Sequence, residues 1–362
     1  MLERTHEEIL TQIASQIQSY PIGELSPVPG DKWLLSSSMQ KAIRRGDLQI
    51  ATSAAASLWR QDRNTLFRRL ITIAPEDVAI GDIEAVIQTF LALTSPEWRR
   101  QVGELQVILY LVTALSNACK NRLPEEIYTQ IERSPSLVKT KEKMAKANDQ
   151  TLAKAMKDKR LDLNKRCMAS WLLWGTSKYP SDFMPKRSFS RSAESSLLAL
   201  PVSSIITKAC LRALPKTQWP LAGFLPLIIH RMQSETVETI EGSIQPPITV
   251  EGVPLYALDT FTRGGQAAFR ELRSGVKELQ EFTLKQIGLA VFYLEGRTLN
   301  KYLTSPFLNE MQKGGEYADI VSSGLCHARY IGLKEVLTEH WPRLQEIRER
   351  ILKRTLVGGD QW

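Results

Sequence analysis

LLSSSMQKAIRRGDLQIATSAAASLW (residues 34–59) holds two helical segments and the corner between them. Serines lead into an apolar-periodic run that closes on Arg44-Arg45. Gly46-Asp47 stops it, and an alanine-rich run follows at once. A glycine after a periodic run ends a helix, and an aspartate beside it caps the next one. The spacing therefore predicts helices over about 35–45 and 47–60, folded back as a hairpin with a basic corner. Arg44 and Arg45 fall in a last turn, where they oppose the negative end of the helix dipole. A phosphate contact is the functional alternative for the same two side chains.

Outward from this hairpin the apolar spacing stays helical. Residues 3–19 form an amphipathic helix through Ile9, Ile13 and Ile17, broken at Tyr20-Pro21 and followed by the linker IGELSPVPGD. A helix over about 62–74 sets Leu66, Leu70 and Ile73 on one face and Arg68 and Arg69 on another. Asp77 lies in the turn after it, within reach of Arg68 or Arg69, so an ion pair fixing the corner is expected. Asp82 caps the next helix. The stripe Val102, Leu105, Ile108, Leu109, Val112, Leu115 and Cys119 predicts one long helix over 97–120. In the second half, helices are expected at about 260–273, 276–295, 305–313 and 328–356, with Gly-Gly loops at 264–265 and 314–315. PPITVEGVPLYALD, near 246–257, reads as a short β element.

The fold class is thus mainly α. The division expected is an N-terminal helix and linker (1–32), a helical domain (33–134), a lysine-rich segment and joint (135–190), and a mainly helical C-terminal domain (191–362). The joint KYPSDFMPKRSFSRS, near 178–192, marks the last boundary.

The 362 residues are 43% hydrophobic and 24% charged, the balance of a folded protein and not a disordered one. No apolar stretch is long enough for a membrane span, and the N-terminus is charged where a signal peptide is apolar. Four scattered cysteines without CxxC spacing fit reduced thiols and a cytoplasmic setting. The net charge of +8 is uneven. Residues 139–166 alone carry ten basic and four acidic side chains. The basic ones are Lys139, Lys141, Lys143, Lys146, Lys154, Lys157, Lys159, Arg160, Lys165 and Arg166. Such a concentration is what a polyanion needs, since each neutralised phosphate releases counterions; a solvated helical face is the other reading.

Catalytic motifs are missing. There is no phosphate-cradling G-x-x-x-x-G-K-[ST], no GxGxxG, HExxH or GxSxG. The four histidines lack ligand spacing, so neither a metal nor a cofactor is expected. DTFTRGGQAAFRELR (259–273) offers a possible phosphate site at Arg263, Gly264, Gly265 and Arg270, where early glycines would let a ligand approach a helix N-terminus. The plainer reading is a tight turn with solvated arginines.

SSSMQKAIRRGDLQIATSAAASLWRQDRNTLFRRLITIAPEDVAIGDIEAV (36–86), together with ILYLVTALSNACKNRL (108–123), resembles the C-terminal helical region of the MgsA-like family of AAA+ proteins. That family is also called replication-associated recombination protein A and includes the eukaryotic Werner-helicase-interacting ATPase. The resemblance covers about 33–130 and rests on Ser38 through Lys41 with Arg44, on Asp47, on Leu66, Arg68, Arg69, Ile73 and Ala74, and on the Glu76-Asp77-Val78…Gly81-Asp82 turn. It implies a clamp-loader-like helical collar, self-association and a role near DNA metabolism. It does not imply ATP hydrolysis, because the Walker A lysine is missing and nothing before residue 33 could hold the motor.

The expected function is that of a non-catalytic DNA-metabolism accessory protein. It would assemble as a homo-oligomer or with replication and recombination proteins, and contact nucleic acid non-specifically through its lysine-rich segment. The competing readings are a protein-interaction scaffold without nucleic-acid binding, and an enzyme with an unfamiliar site near 259–273 or 314–315.

Overall fold

The computed structural model describes residues 4–18 and 26–357, and most of them are helical. The hairpin of the opening stretch is α2 (Lys32–Arg45) and α3 (Leu48–Gln61), after α1 (His6–Gln18). Asp31 caps α2 by accepting from the amides of Trp33 and Leu34, both at 2.9 Å. Gly46 takes a left-handed conformation (φ 68°) that ends α2, and Asp47 accepts from the Ile50 amide at the start of α3. Two adjacent residues thus close one helix and open the next, which is why the hairpin is tight.

After α4 (Arg63–Ile73) the chain widens into a π-turn, Ala74–Val78. Pro75 lacks the amide that a regular helix needs there, so the ladder slips by one residue. Ala79, at φ 45°, then turns the chain sharply. This turn carries Glu76 and Asp77 inward. Asp82 next caps α5 (Ile83–Leu93), accepting from Ala85 N at 3.0 Å. Asp82→Ala is expected to cost about 1 kcal/mol, the usual worth of an N-cap, read as a shifted urea midpoint at unchanged slope.

The long helix expected over 97–120 is two helices, α6 (Pro96–Val102) and α7 (Glu104–Asn117). Gly103, at φ 108°, breaks it at a backbone conformation that a continuous helix cannot hold. The chain continues through α8 (Leu123–Arg133), α9 (Val138–Ala145), α10 (Asp149–Lys157), α11 (Leu163–Trp174), α12 (Ser192–Leu198), α13 (Ser204–Ala213) and α14 (Leu221–Met232). One apolar core runs from Ile9 to Ile228. Residues on both sides of the joint near 178–192 belong to it, so the core does not divide there.

The core divides later. Strand β1 (Glu238–Glu241) leaves the first core, and the hairpin β2 (Thr249–Val250) and β3 (Val253–Pro254) follows. Its loop is Glu251-Gly252, both at positive φ, as a two-residue hairpin turn requires. Then come α15 (Arg263–Gly275), α16 (Leu284–Val291), strand β4 (Lys301–Thr304), α17 (Pro306–Ser322), α18 (His327–Glu339) and α19 (Trp341–Val357). Both Gly-Gly pairs expected as loops lie inside helices, in α15 and α17. The single helix expected over 328–356 is broken at His340. The second core gathers Val253, Phe269, Leu272, Leu333, Leu344 and their neighbours, with Leu34 from α2.

Strand β4 pairs antiparallel with β1, Glu238 opposite Thr304. It also meets the first core, where Lys120 N donates to Lys301 O at 2.7 Å and Leu303 N to Lys120 O at 3.1 Å. Helix α17 begins in the first core with Leu308 and Met311 and ends in the second with Ile320. The two cores are therefore laced together, and the polar face of α2 lies between them.

Candidate functional site

On α2 the apolar residues Leu35, Met39, Ala42 and Ile43 enter the first core. A second face is polar and nevertheless buried: Ser36, Ser37, Gln40, Lys41 and Arg44. These positions follow one helical stripe, and that stripe forms one wall of a cleft of about 670 Å³.

At one end of the cleft Lys41 reaches across to the second half. Its Nζ lies 2.6 Å from Asp259 Oδ2 and 2.7 Å from Tyr256 O, and Ser37 Oγ donates to the same carboxylate at 2.8 Å. Burial opposes a charge on Asp259, yet the Lys41 ammonium together with hydrogen bonds from Ser37 and the Phe261 amide holds the carboxyl below its ordinary range.

Further along, Asp77 is fully buried between two guanidinium groups. Arg44 Nε donates to Asp77 Oδ1 at 2.6 Å, Arg122 Nη1 donates to the same oxygen, and Gln40 Nε2 donates to Oδ2 at 2.9 Å. Arg44 also donates from Nη2 to Glu76 Oε1 at 3.0 Å and from Nη1 to Gly296 O at 2.8 Å. Burial works against ionisation of Asp77, but Arg44 and Arg122 keep its carboxyl below the usual range. Glu76 moves the other way, raised first by burial and then by the negative charge of Asp77. The corner is thus held by Arg44 and Arg122, and not by the Arg68 or Arg69 expected from sequence. Among the described residues Arg68 is exposed and bonds within its own helix, while Arg69 donates to Gln40 Oε1. Four residues apart along one turn of α2, Gln40 and Arg44 reach the turn better than side chains on α4.

The opposite wall comes from the second half. Arg348 of α19 is 0% exposed and donates from Nη1 to Glu295 Oε2 at 2.8 Å. Its Nε and Nη2 have no partner among the described residues. Phe269, Gly288, Leu289 and Phe292 give this wall its apolar surface, and Lys285 is exposed at its edge. A third side is made by Tyr128, Arg133 and Asp319, with Arg133 paired to Asp319. In all, seven cationic and five carboxylate side chains line the cleft, and Asp77, directly behind Arg44 and Arg122, brings the balance to one positive charge. Trp33 and Phe261 stand at its rim, Phe261 80% exposed.

The lysine-rich segment forms the surface helices α9 and α10 on the first core. Six of its basic side chains are exposed and make no ion pair among the described residues: Lys139, Lys143, Lys146, Lys154, Lys157 and Lys159. The first three follow at i, i+4 and i+7, down one face. Arg160 is exposed but paired with Asp158 at 2.8 Å, and Lys165 is paired with Asp162 at 2.7 Å. Two members turn inward and present no charge to solvent. Lys141 is buried and donates to Glu132 O at 2.8 Å; Arg166 is fully buried between Met156 O and His230. The basic corner divides too. Arg44 is buried in the cleft network, and Arg45 lies over the Tyr256 ring while donating to Glu295 O at 3.0 Å. These four are fold-holding side chains, because each donates its hydrogen bonds to acceptors of the protein itself.

The glycines of the possible phosphate site serve packing. A Cβ on Gly265 would collide with the backbone of Asp259, and one on Gly264 would come 2.8 Å from Leu258. The Gly265 amide is already engaged by the Thr262 hydroxyl at 3.1 Å. Arg263 and Arg270 are exposed and do not line the cleft. The glycines thus admit the chain's own turn and not a ligand.

The cleft was not foreseen as a site. Its signal was present in the polar stripe at 36, 37, 40, 41 and 44, which runs beside the apolar stripe of the same helix. Comparison of the chain with family models, with curated proteins and with solved structures finds no match.

Proposed function

We propose that this chain is a non-catalytic accessory protein of nucleic-acid metabolism that contacts phosphates through the exposed face of α9 and α10. The observation that carries this reading is the set of six solvent-facing lysines without ion pairs. Unpaired cations on a rigid surface keep their full attraction for a polyanion, whereas paired ones are already neutralised. Beside them, Arg187 pins the 178–191 loop to the α9–α10 turn through Ala145 O, Ala147 O and Asp149. Phe183 and Phe189 project half-exposed from that loop, where unstacked bases would find a ring. The resemblance of 33–130 to a clamp-loader-like collar supports assembly with itself or with DNA-processing partners.

Fluorescence anisotropy with labelled single-stranded and duplex oligonucleotides tests the reading. Binding should be sequence-independent and fall steeply with salt, with a logarithmic slope of about 0.7 per phosphate contact on single strands. Replacing the six lysines by Gln should weaken binding at least roughly tenfold and flatten that slope. No binding in dilute salt, or an unchanged slope in the six-fold variant, would remove the α9–α10 face from this role.

A further inference from the structure

The lining of the cleft points to a ligand. We infer that the cleft between the two cores binds a small phosphomonoester carrying an aromatic ring, of the nucleoside monophosphate class, with the Nε–Nη2 edge of Arg348 facing the phosphate. The volume of about 670 Å³ lies in the range that encloses ligands of this size.

Two arginines of the same cleft supply the argument. Arg44 presents its Nε and Nη2 to carboxylate oxygens, Asp77 at 2.6 Å and Glu76 at 3.0 Å. Arg348 has only Nη1 engaged, by Glu295, and its equivalent edge meets no acceptor among the described residues. A buried guanidinium edge left this way is costly, and its two parallel N–H groups match two oxygens of a phosphate or carboxylate. The guanidinium is held over Phe269 and Trp341, each ring centre 5.8 Å away, so its orientation is fixed in advance.

The charge of the lining calls for an anion. Its cations outnumber its carboxylates even with Asp77 counted behind Arg44 and Arg122, and a phosphomonoester presents several oxygens to the paired N–H groups of Arg348. The body of the ligand is read from the rest of the wall. Phe292, Tyr128 and Trp219 bring aromatic rings to the wall, Tyr128 already backed by Trp171. Opposite, Glu76 Oε2 and Arg69 Nε are buried and have no partner, an acceptor and a donor for the polar edge of a base.

Titration calorimetry and thermal shift on the full chain decide the matter, with AMP, GMP, CMP and UMP as probes. The corresponding nucleosides supply the ring without the phosphate, and inorganic phosphate the anion without the ring. At least one monophosphate should bind saturably with Kd below about 1 mM and raise the melting temperature. Its nucleoside and inorganic phosphate should each bind at least roughly tenfold more weakly. Arg348→Lys keeps the charge but loses the two-pronged edge, and should weaken binding about tenfold or more. Leu289→Trp fills the cleft from a half-buried position; it should abolish binding while the ligand-free melting temperature holds, and it decides the case if Arg348→Lys fails to fold. The six-lysine variant should bind the monophosphate normally, which separates this site from the nucleic-acid face. The inference is overturned if no monophosphate binds below that concentration, if inorganic phosphate binds equally well, or if Leu289→Trp leaves binding intact.

Discussion

Asp77→Ala is expected to lower the stability of the protein by about 3–5 kcal/mol, the cost of breaking a buried ion pair from one side. The reason is what the substitution leaves behind. Arg44 and Arg122 both lose their shared carboxylate oxygen, and Gln40 loses an acceptor. Neither guanidinium can shed its proton, and both are buried. Equilibrium urea unfolding followed by tryptophan fluorescence measures the loss. A stability within about 1 kcal/mol of the parent would show that the network is not what holds the corner. The pH dependence provides an independent check. The folded carboxyl of Asp77 lies below its unfolded value, so its contribution is complete above about pH 4, the unfolded value. That contribution fades as the pH falls through the folded value. Asp77→Ala should therefore show a shallower loss of stability on acidification than the parent.

Asp259→Ala should be nearly as damaging, at about 3 kcal/mol, and for a different structural reason. Lys41 keeps the Tyr256 carbonyl but loses its counter-charge, and Ser37 loses its acceptor. The pair joins the polar face of α2 to the second core, so its loss loosens the seam between the cores. Lys41→Met combined with Asp259→Ala should recover much of the loss, because removing both charges leaves none buried alone. A double-mutant cycle on urea midpoints reads the coupling, expected at about 1–3 kcal/mol. Additive single effects would mean that the two side chains are neighbours without being partners.

The parts of the fold that depend on local rules were legible in the sequence. Gly46-Asp47, Asp82 and the Glu251-Gly252 hairpin each declare themselves within four residues, because caps and tight turns are set by neighbours along the chain. Gly103 broke a helix that its stripe made continuous, since periodicity passes over one residue that differs only in φ. Gly264-Gly265 and Gly314-Gly315 were misread for the converse reason. Their glycines admit a close neighbour, Asp259 from the preceding turn in one case and Glu126 from a distant helix in the other, and neither approach is written in the local apolar pattern. The same holds for the charged residues. Composition identified Lys139 through Arg166 as a basic segment, but only packing separates buried Lys141 and Arg166 from exposed Lys143 and Lys157. Partners of Asp77 lie 33 and 45 residues away, whereas the helix–turn corner beside it offered Arg68 and Arg69 instead.

The seam also fixes an order of assembly. Lys41 and Asp259 are separated by 218 positions, and Arg44 meets Gly296 across 252. A growing chain completes α2 to α8 long before either acceptor exists, so the inward polar stripe of α2 waits in water while its apolar stripe is already packed. Contacts this remote in sequence close slowly. In pulsed hydrogen exchange during refolding, amides of α3 and α7 should gain protection before those of α15 and α19, with the halves docking last.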